Sequence, residues 1–379
     1  MSDDISRPGA LSEGSKRWLA FLVTAALIVL MLLAAEGAVR IRQHLKYGSA
    51  AGLEDYWTID PKSGMRVPIP GLSAGRVSIN SLGFRGPEIP AAKPAGTVRV
   101  AFLGASTTWC AEVSGNEHVW PHLVTAALAE AFPGSPFDYV NGAVPGYTQS
   151  SMLKNLELRV APLKPDVIVI YEVANNLSGD LREVAAKRGL IADAKVQELN
   201  WPSRYSKLWY LVEKNLRVRF AQGAASAGQA RLDIDPAELG DDFRRELTRL
   251  VRAAQQNARL VALATFSIQL RDGQSAEQQA KASESAFFYT PFVTPQLLMR
   301  SYARYNEIVG EVARETGAML VEGENEIPGD AAHFTDTVHF SDAGSRAQAQ
   351  RVSRALIASS ALRRVVDDIA KPRAVASPG

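Results

Sequence analysis

Residues Val98–Cys110 read VRVAFLGASTTWC, and the fold turns on whether Ser106 ends a buried strand as a reactive group or only follows one. Val98–Leu103 is apolar apart from Arg99, which suits a strand covered on both faces. A Gly-Ala-Ser turn comes next, then Thr-Thr-Trp. Serine after a strand is ordinary, because its hydroxyl caps the following helix. Taken alone, the stretch leaves both readings open. A reactive serine needs a base, an acid to orient that base, and donors for an oxyanion, all supplied from elsewhere in the chain.

Outward from Val98, short apolar runs alternate with amphipathic helices. Trp120–Phe132 has helical spacing, with Pro121 in the first turn where proline is tolerated. Phe137–Val140 reads as a strand and Ser150–Leu163 as a helix ended by Lys-Pro-Asp. Val167–Val173, VIVIYEV, suits a strand buried on both faces, and Ala258–Ile268 supplies another. Tyr302–Thr316 is helical, AMLVEG at 318–323 is a final strand, and Asp342–Ile369 closes largely as helix. This alternation argues for a parallel sheet with helices on both sides. Residues 181–257 are too long for a simple crossover and predict an inserted helical cap or lid. Gly273–Phe288, GQSAEQQAKASESAFF, is polar and predicts a mobile loop.

Composition narrows the classes. With 379 residues, 46% apolar and 22% charged, the chain can bury a sizeable core. Its 42 basic and 40 acidic residues give no electrostatic reason to expect nucleic acid. Cys110 is the single cysteine, which excludes an intramolecular disulfide and a zinc site of cysteine pairs; it reads as a small packed hydrophobe.

Trp18–Ala35, WLAFLVTAALIVLMLLAA, runs for 18 residues without a charge, about 27 Å as a helix. It is longer than a usual signal-peptide apolar region, although LLAAEGA offers small residues where cleavage could occur; an uncleaved signal anchor is the preferred reading. Arg7, Lys16 and Arg17 before it balance Arg40, Arg42 and Lys46 after it, so the positive-inside count is a tie. The short basic tail suggests a cytoplasmic N-terminus. The expected layout is a cytoplasmic tail at 1–17, a transmembrane signal anchor at 18–35, and a stalk and irregular Gly/Pro-rich arm at 36–97. The main domain at 98–370 carries the helical insertion at about 181–257, and a flexible tail follows at 371–379.

Sites in open parallel sheets form beyond the carboxyl ends of the strands. GASTT follows the first strand, NGAVPGYT (Asn141–Thr148) the second, ANN (Ala174–Asn176) the third, and DTVHFSDAG (Asp336–Gly344) comes after the last. One chemistry joins them. A serine hydroxyl becomes a nucleophile when an imidazole takes its proton, and a carboxylate holds that imidazole. Asp336 and His339 are three apart, so one helical turn or tight loop sets them side by side. The Ser106 amide, a loop glycine amide and an asparagine side chain could supply oxyanion donors.

In these four blocks the chain resembles the SGNH (GDSL-type) hydrolase family, over about residues 98–365 apart from the inserted middle. The resemblance implies a flavodoxin-like three-layer α/β/α fold and acyl-ester hydrolysis or transfer with no metal and no organic cofactor. Ser106 in LGAS would be the nucleophile. Gly146 and Asn175, with the Ser106 amide, would form the oxyanion hole, and Asp336 and His339 would orient and act as base. INSLGFRGPEI, within Val77–Pro90, resembles the arm that precedes this domain in membrane-anchored bacterial members. Two blocks depart from the family: Ala105 stands where Gly-Asp-Ser has aspartate, and Val173 and Asn176 replace the outer residues of Gly-x-Asn-Asp.

Competing assignments stand beside these. Gly142 competes with Gly146 and Asn176 with Asn175. His118 and His122 lack the intervening Glu of a zinc-protease helix and read as structural. His333 would shape the loop, Glu172 is a structural carboxylate or a substrate contact, and Arg85 would anchor the arm by a buried ion pair, with substrate contact as its rival reading. The functional expectation is a serine esterase at the cell envelope. Such an enzyme would be a single-pass protein of the inner membrane with its catalytic domain facing the periplasm or exterior. Its substrate would be an acylated glycan, a lipid or a small ester, and an envelope polysaccharide-machinery partner is a further expectation. Rival readings are an O-acyltransferase acetylating a surface polysaccharide and a non-catalytic glycan-binding or assembly protein with a degenerate hydrolase fold.

Overall fold

In the computed structural model, which describes residues 12–47, 56–195, 200–226 and 231–371, Val98–Gly104 forms β1 of a five-stranded sheet. The others are β2 (Phe137–Asn141), β3 (Val167–Tyr171), β4 (Leu260–Ala264) and β5 (Met319–Val321). Their order is β2-β1-β3-β4-β5 and every pairing is parallel, the flavodoxin-like winding with its switch point between β1 and β3. Each residue of β1, β3 and β4 is buried, which is why these strands appear in the sequence as nearly continuous apolar runs. Arg99 is the charged exception. It sits opposite Asp138 in the β1–β2 register and pairs with it at 2.6 and 2.8 Å, so its charge is matched where it is buried.

Helices cover both faces. Trp120–Ala131 packs with Asp342–Ala358, and Asp241–Asn257 packs with Gln149–Asn155 and Pro295–Thr316. The closing helix is two helices, because Ser359 leaves helical geometry and caps Ala361 N at 3.1 Å. Gly273–Phe288 is not a loop: Ala276–Ala282 and Glu284–Tyr289 are helical. A reciprocal Ser275–Gln278 capping box starts the first of them, and Ala282, Ser283 and Phe287 are buried. The polar composition concealed a helix whose polar groups are bonded internally.

The arm contains two short hairpins, Trp57–Ile59 with Arg66–Pro68 and Ser73–Ala74 with Val77–Ser78. Arg85 anchors it, but not by the expected ion pair. Its guanidinium, fully buried, donates to the carbonyls of Trp109 (2.7 Å) and Cys110 (2.6 Å) and to Asn116 Oδ1 (2.9 Å).

Residues 1–50 and 199–213 form a separate unit. Its helix Glu13–Tyr47 has a window of mean hydropathy 2.7, long and apolar enough to cross a membrane. Of the expected tails, residues 1–11 and 372–379 lie outside the described residues, while residues 13–17 of the expected N-terminal tail already belong to the helix.

Candidate active site

The site begins where β1 turns. A Cβ on Gly104 would lie 2.7 Å from the Tyr171 carbonyl oxygen and closer still to Thr108 Oγ1, so only glycine lets the chain bend this tightly against β3. A short helix, Ser106–Trp109, follows. Thr108 Oγ1 donates to Tyr171 O at 3.2 Å and Trp120 Nε1 to Thr107 O at 3.2 Å, fixing its inner face. Its end is held by Arg85, and Cys110 there is left-handed at φ +57°. Ala105 is buried and provides no side-chain cap.

Asp336 and His339 lie on a turn closed by the Phe334–Phe340 bridge, with both rings buried. Asp336 Oδ1 accepts from the amides of Val338 and His339 at 3.0 Å each, a side-chain turn that presets the carboxylate. His339 Nδ1 is 2.8 Å from Asp336 Oδ2, and His339 Nε2 is 2.8 Å from Ser106 Oγ. With the ring proton on Nδ1 facing Asp336, Nε2 is free to accept from the serine hydroxyl. Residues 233 apart in sequence are thus joined in one relay.

The loop after β2 carries Gly146, exposed, at φ +84°, a conformation that favours glycine. Arg66 from the arm donates to Pro145 O, and Tyr147 OH donates to Arg66 O at 2.6 Å. Asn175 Nδ2 donates to Tyr147 O at 2.9 Å, and its own amide donates to Glu172 Oε1 at 2.8 Å. Gly146 and Asn175 therefore meet at one loop. The competing residues are engaged elsewhere: the Gly142 amide bonds Phe102 O at 2.9 Å, while Asn176 is buried between Gln149 N and Glu246, each at 3.2 Å.

Three carboxyl groups act on His339. Burial alone would lower its pKa, but Glu112, Asp336 and Glu172 outweigh that and raise it to about 9. Asp336 moves the other way: burial opposes the shift, yet His339 and the turn amides bring it down to about 2. Burial raises Glu112, and it pushes Glu172 up to about 7. One oxygen of each, Oε2, is sealed from solvent without a partner.

Glu112, Arg66 and Ser285 are the components that sequence reasoning missed. Ser285 Oγ donates to Thr337 Oγ1 at 2.8 Å and accepts the Thr337 amide at 3.1 Å, bracing the turn between Asp336 and His339. No local pattern marks any of the three. Of the residues weighed as structural, His118 stands beside Glu117 and His122 packs in a T-shaped contact with Tyr139. His333 pairs with Asp330 at 2.8 Å, and Cys110 is buried. Among the described residues no group of three or more His, Cys, Asp or Glu could hold a metal ion.

A family model described as GDSL-like Lipase/Acylhydrolase family matches residues 102–347. Among curated proteins none matches the sequence. Solved structures that resemble the chain include Axe2, an acetylxylan esterase from Geobacillus stearothermophilus, at 16% identity and a TM-score of 0.43, covering 73% of this chain and 99% of that one. Another is a lipase/acylhydrolase from Enterococcus faecalis, at 16% identity and a TM-score of 0.41, covering 69% and 95% respectively.

Proposed function

Because the chain belongs to the GDSL-like lipase/acylhydrolase family and is an ester hydrolase, we propose that Ser106 is its nucleophile, His339 its general base and Asp336 the group that orients the imidazole. The observation that carries this reading is the unbroken relay of two 2.8 Å contacts from Asp336 through His339 to Ser106. As Ser106 Oγ attacks the ester carbonyl carbon, its proton passes to His339 Nε2. The negative charge that develops on the carbonyl oxygen is met by the Ser106 amide, the Gly146 amide and Asn175 Nδ2. An amide nitrogen has two N–H groups; the one given to Tyr147 O orients Asn175 and leaves the other for the oxyanion. Collapse expels the alcohol, which takes the proton from His339. Water then repeats the sequence on the acyl-enzyme and releases the acid.

Exposure at the rim bears on the alcohol part of the substrate. Gly146 is exposed and Ser106, Asn175 and His339 are half-buried, which is compatible with a bulky alcohol reaching the serine. Helix Glu13–Tyr47, long and apolar enough to cross a membrane, supports a single-pass anchor; with the short basic tail kept in the cytoplasm, the anchor would sit in the inner membrane and the catalytic domain would lie in the periplasm or outside. Together these favour O-acyl groups of an envelope glycan, or a small ester, as substrate. The layout carried with this proposal is tail, anchor, arm and hydrolase domain, as set out from the sequence.

The test is fluorophosphonate labelling of the full chain, with Ser106→Ala and His339→Ala beside it. Labelling and short-chain ester hydrolysis in the wild type, lost in both variants, is the expected result. A folded wild type that neither labels nor hydrolyses esters overturns the assignment. A labelled acetyl donor then separates hydrolysis, which yields free acid, from transfer, which yields an acylated sugar.

A further inference from the structure

Helices are ordinarily apolar on the side they bury. The segment Trp201–Phe220 carries its large apolar groups on the outside. It comprises the short helix Trp201–Tyr205 and the start of helix Lys207–Ser226. Trp201 is 72% exposed, Tyr205 70% and Trp209 48%, and Val212 is exposed as well; the same helix continues the stripe through Leu216 and Phe220. Positions 209, 212, 216 and 220 recur at the three- and four-residue spacing of one helix face. Between 201 and 220 the sequence has five basic residues (Arg204, Lys207, Lys214, Arg217 and Arg219) against one acidic residue, Glu213.

A second observation fixes where this stripe belongs. Glu36 directly follows the uncharged run Trp18–Ala35. Its carboxylate accepts from Ser206 Oγ (2.9 Å), Lys207 N (3.0 Å) and Leu208 N (2.9 Å). Arg40 pairs with the same carboxylate at 2.8 Å and reaches Tyr205 O at 3.4 Å. The corner between the two helices is therefore tied to the residue that follows the apolar run. If that run spans the hydrocarbon, Trp201, Tyr205 and Trp209 stand within a turn or two of the boundary level, the depth at which tryptophan and tyrosine concentrate. Basic charge beside them matches anionic headgroups.

We propose that Trp201–Phe220 is an interfacial membrane element, lying along the bilayer surface with its aromatic stripe in the headgroup–acyl boundary and its basic residues toward anionic lipid. The proposal rests on reading Glu13–Tyr47 as a membrane span.

Spin labels separate the two readings. In the full chain, single cysteines replace Tyr205, Trp209, Val212, Lys207, Lys214 or, within the span, Leu30. Cys110 does not compete, since it is buried and burial pushes its thiol up to about 12. The protein is placed in vesicles of phosphatidylcholine and phosphatidylglycerol, and collisions of each label with oxygen and with a water-soluble nickel chelate are compared. The expected result is oxygen in excess at 205, 209 and 212, nickel in excess at 207 and 214, and oxygen in excess at 30. Nickel in excess at 205, 209 and 212 with oxygen in excess at 30 overturns the interfacial helix and leaves the span standing. Nickel in excess at every site overturns both. Labels at 205, 209 and 212 shielded from both reagents overturn the proposal in favour of protein cover, such as a second copy of this chain.

Discussion

Arg85 Nη1 donates to the carbonyl of Cys110 at 2.6 Å, which ties the arm to the turn four residues past the proposed nucleophile. The same nitrogen reaches Trp109 O, and Nε reaches Asn116. A buried guanidinium is tolerated here because carbonyl dipoles replace water around it. Arg85→Met keeps much of the volume but strands two buried carbonyls, a loss of the order of 2–6 kcal/mol at about 1–3 per group. Arg85→Lys, which retains a charged donor, should lose less. Thermal midpoints and kcat/KM measured together check this. Both should fall in the order wild type, Lys, Met, and a Met variant with neither changed would remove the clamp from the account.

The pH profile should carry the mark of Glu112. His339 can accept the Ser106 proton only when neutral, so activity rises as the imidazole deprotonates. Burial favours the neutral ring, but Glu112, the largest opposing influence, together with Asp336 and Glu172 holds the pKa near 9 against an ordinary 6.5. The rising limb of kcat/KM for a short ester is therefore expected well above the ordinary histidine range. Glu112→Gln removes one negative charge and should move the limb downward while leaving the Asp336–His339–Ser106 contacts in place. A limb at the same pH in both proteins would show that Glu112 does not act on the ring.

What the sequence made legible was what is local. Strands β1, β3 and β4 are buried on both faces and so appear as apolar runs, and Asp336 and His339 share a single turn. The parallel sheet with helices on both sides followed from alternation, whereas its flavodoxin-like winding came from the family resemblance. What stayed hidden depends on distance through space. Arg85 showed its charge in the sequence but not the carbonyls that would receive it. In Gly273–Phe288, Gln279 Nε2 bonds Arg271 O at 3.1 Å and Ser283 Oγ bonds Gln279 O at 2.7 Å, so polar residues there mark internal bonding rather than solvation. Glu112 and Arg66 reach the site from segments with no motif of their own.

Ser285, in that misread segment, gives a sharper prediction. Thr337 is fully buried between Asp336 and His339, and its amide and hydroxyl both bond Ser285 Oγ. Its hydroxyl also donates to Ala282 O at 2.6 Å, so the turn retains one tether when Ser285 is lost. Ser285→Ala should lower kcat by about 10-fold, because a small misplacement of a catalytic group costs rate steeply, with KM little changed. Ser285→Thr, which restores a hydroxyl, should recover part of the loss. A lower thermal midpoint with unaltered kcat would assign Ser285 to packing alone.

Glu172 should make stability depend on pH. Burial raises its carboxyl from 4.5 to about 7, against the opposing pull of the Asn175 amide and His339. A raised carboxyl favours the fold when neutral. Its contribution is complete below 4.5, is lost as pH climbs through about 7, and is absent above that. The rise corresponds to roughly 3 kcal/mol. Glu172→Gln stays neutral throughout, and its side-chain oxygen can still accept the Asn175 amide. The variant should therefore match the wild type near pH 5 and exceed it near pH 8, the gap opening across the intervening range. Denaturation midpoints at those two pH values decide it: a gap of equal size at both would mean that Glu172 is not the group whose ionisation opposes the fold.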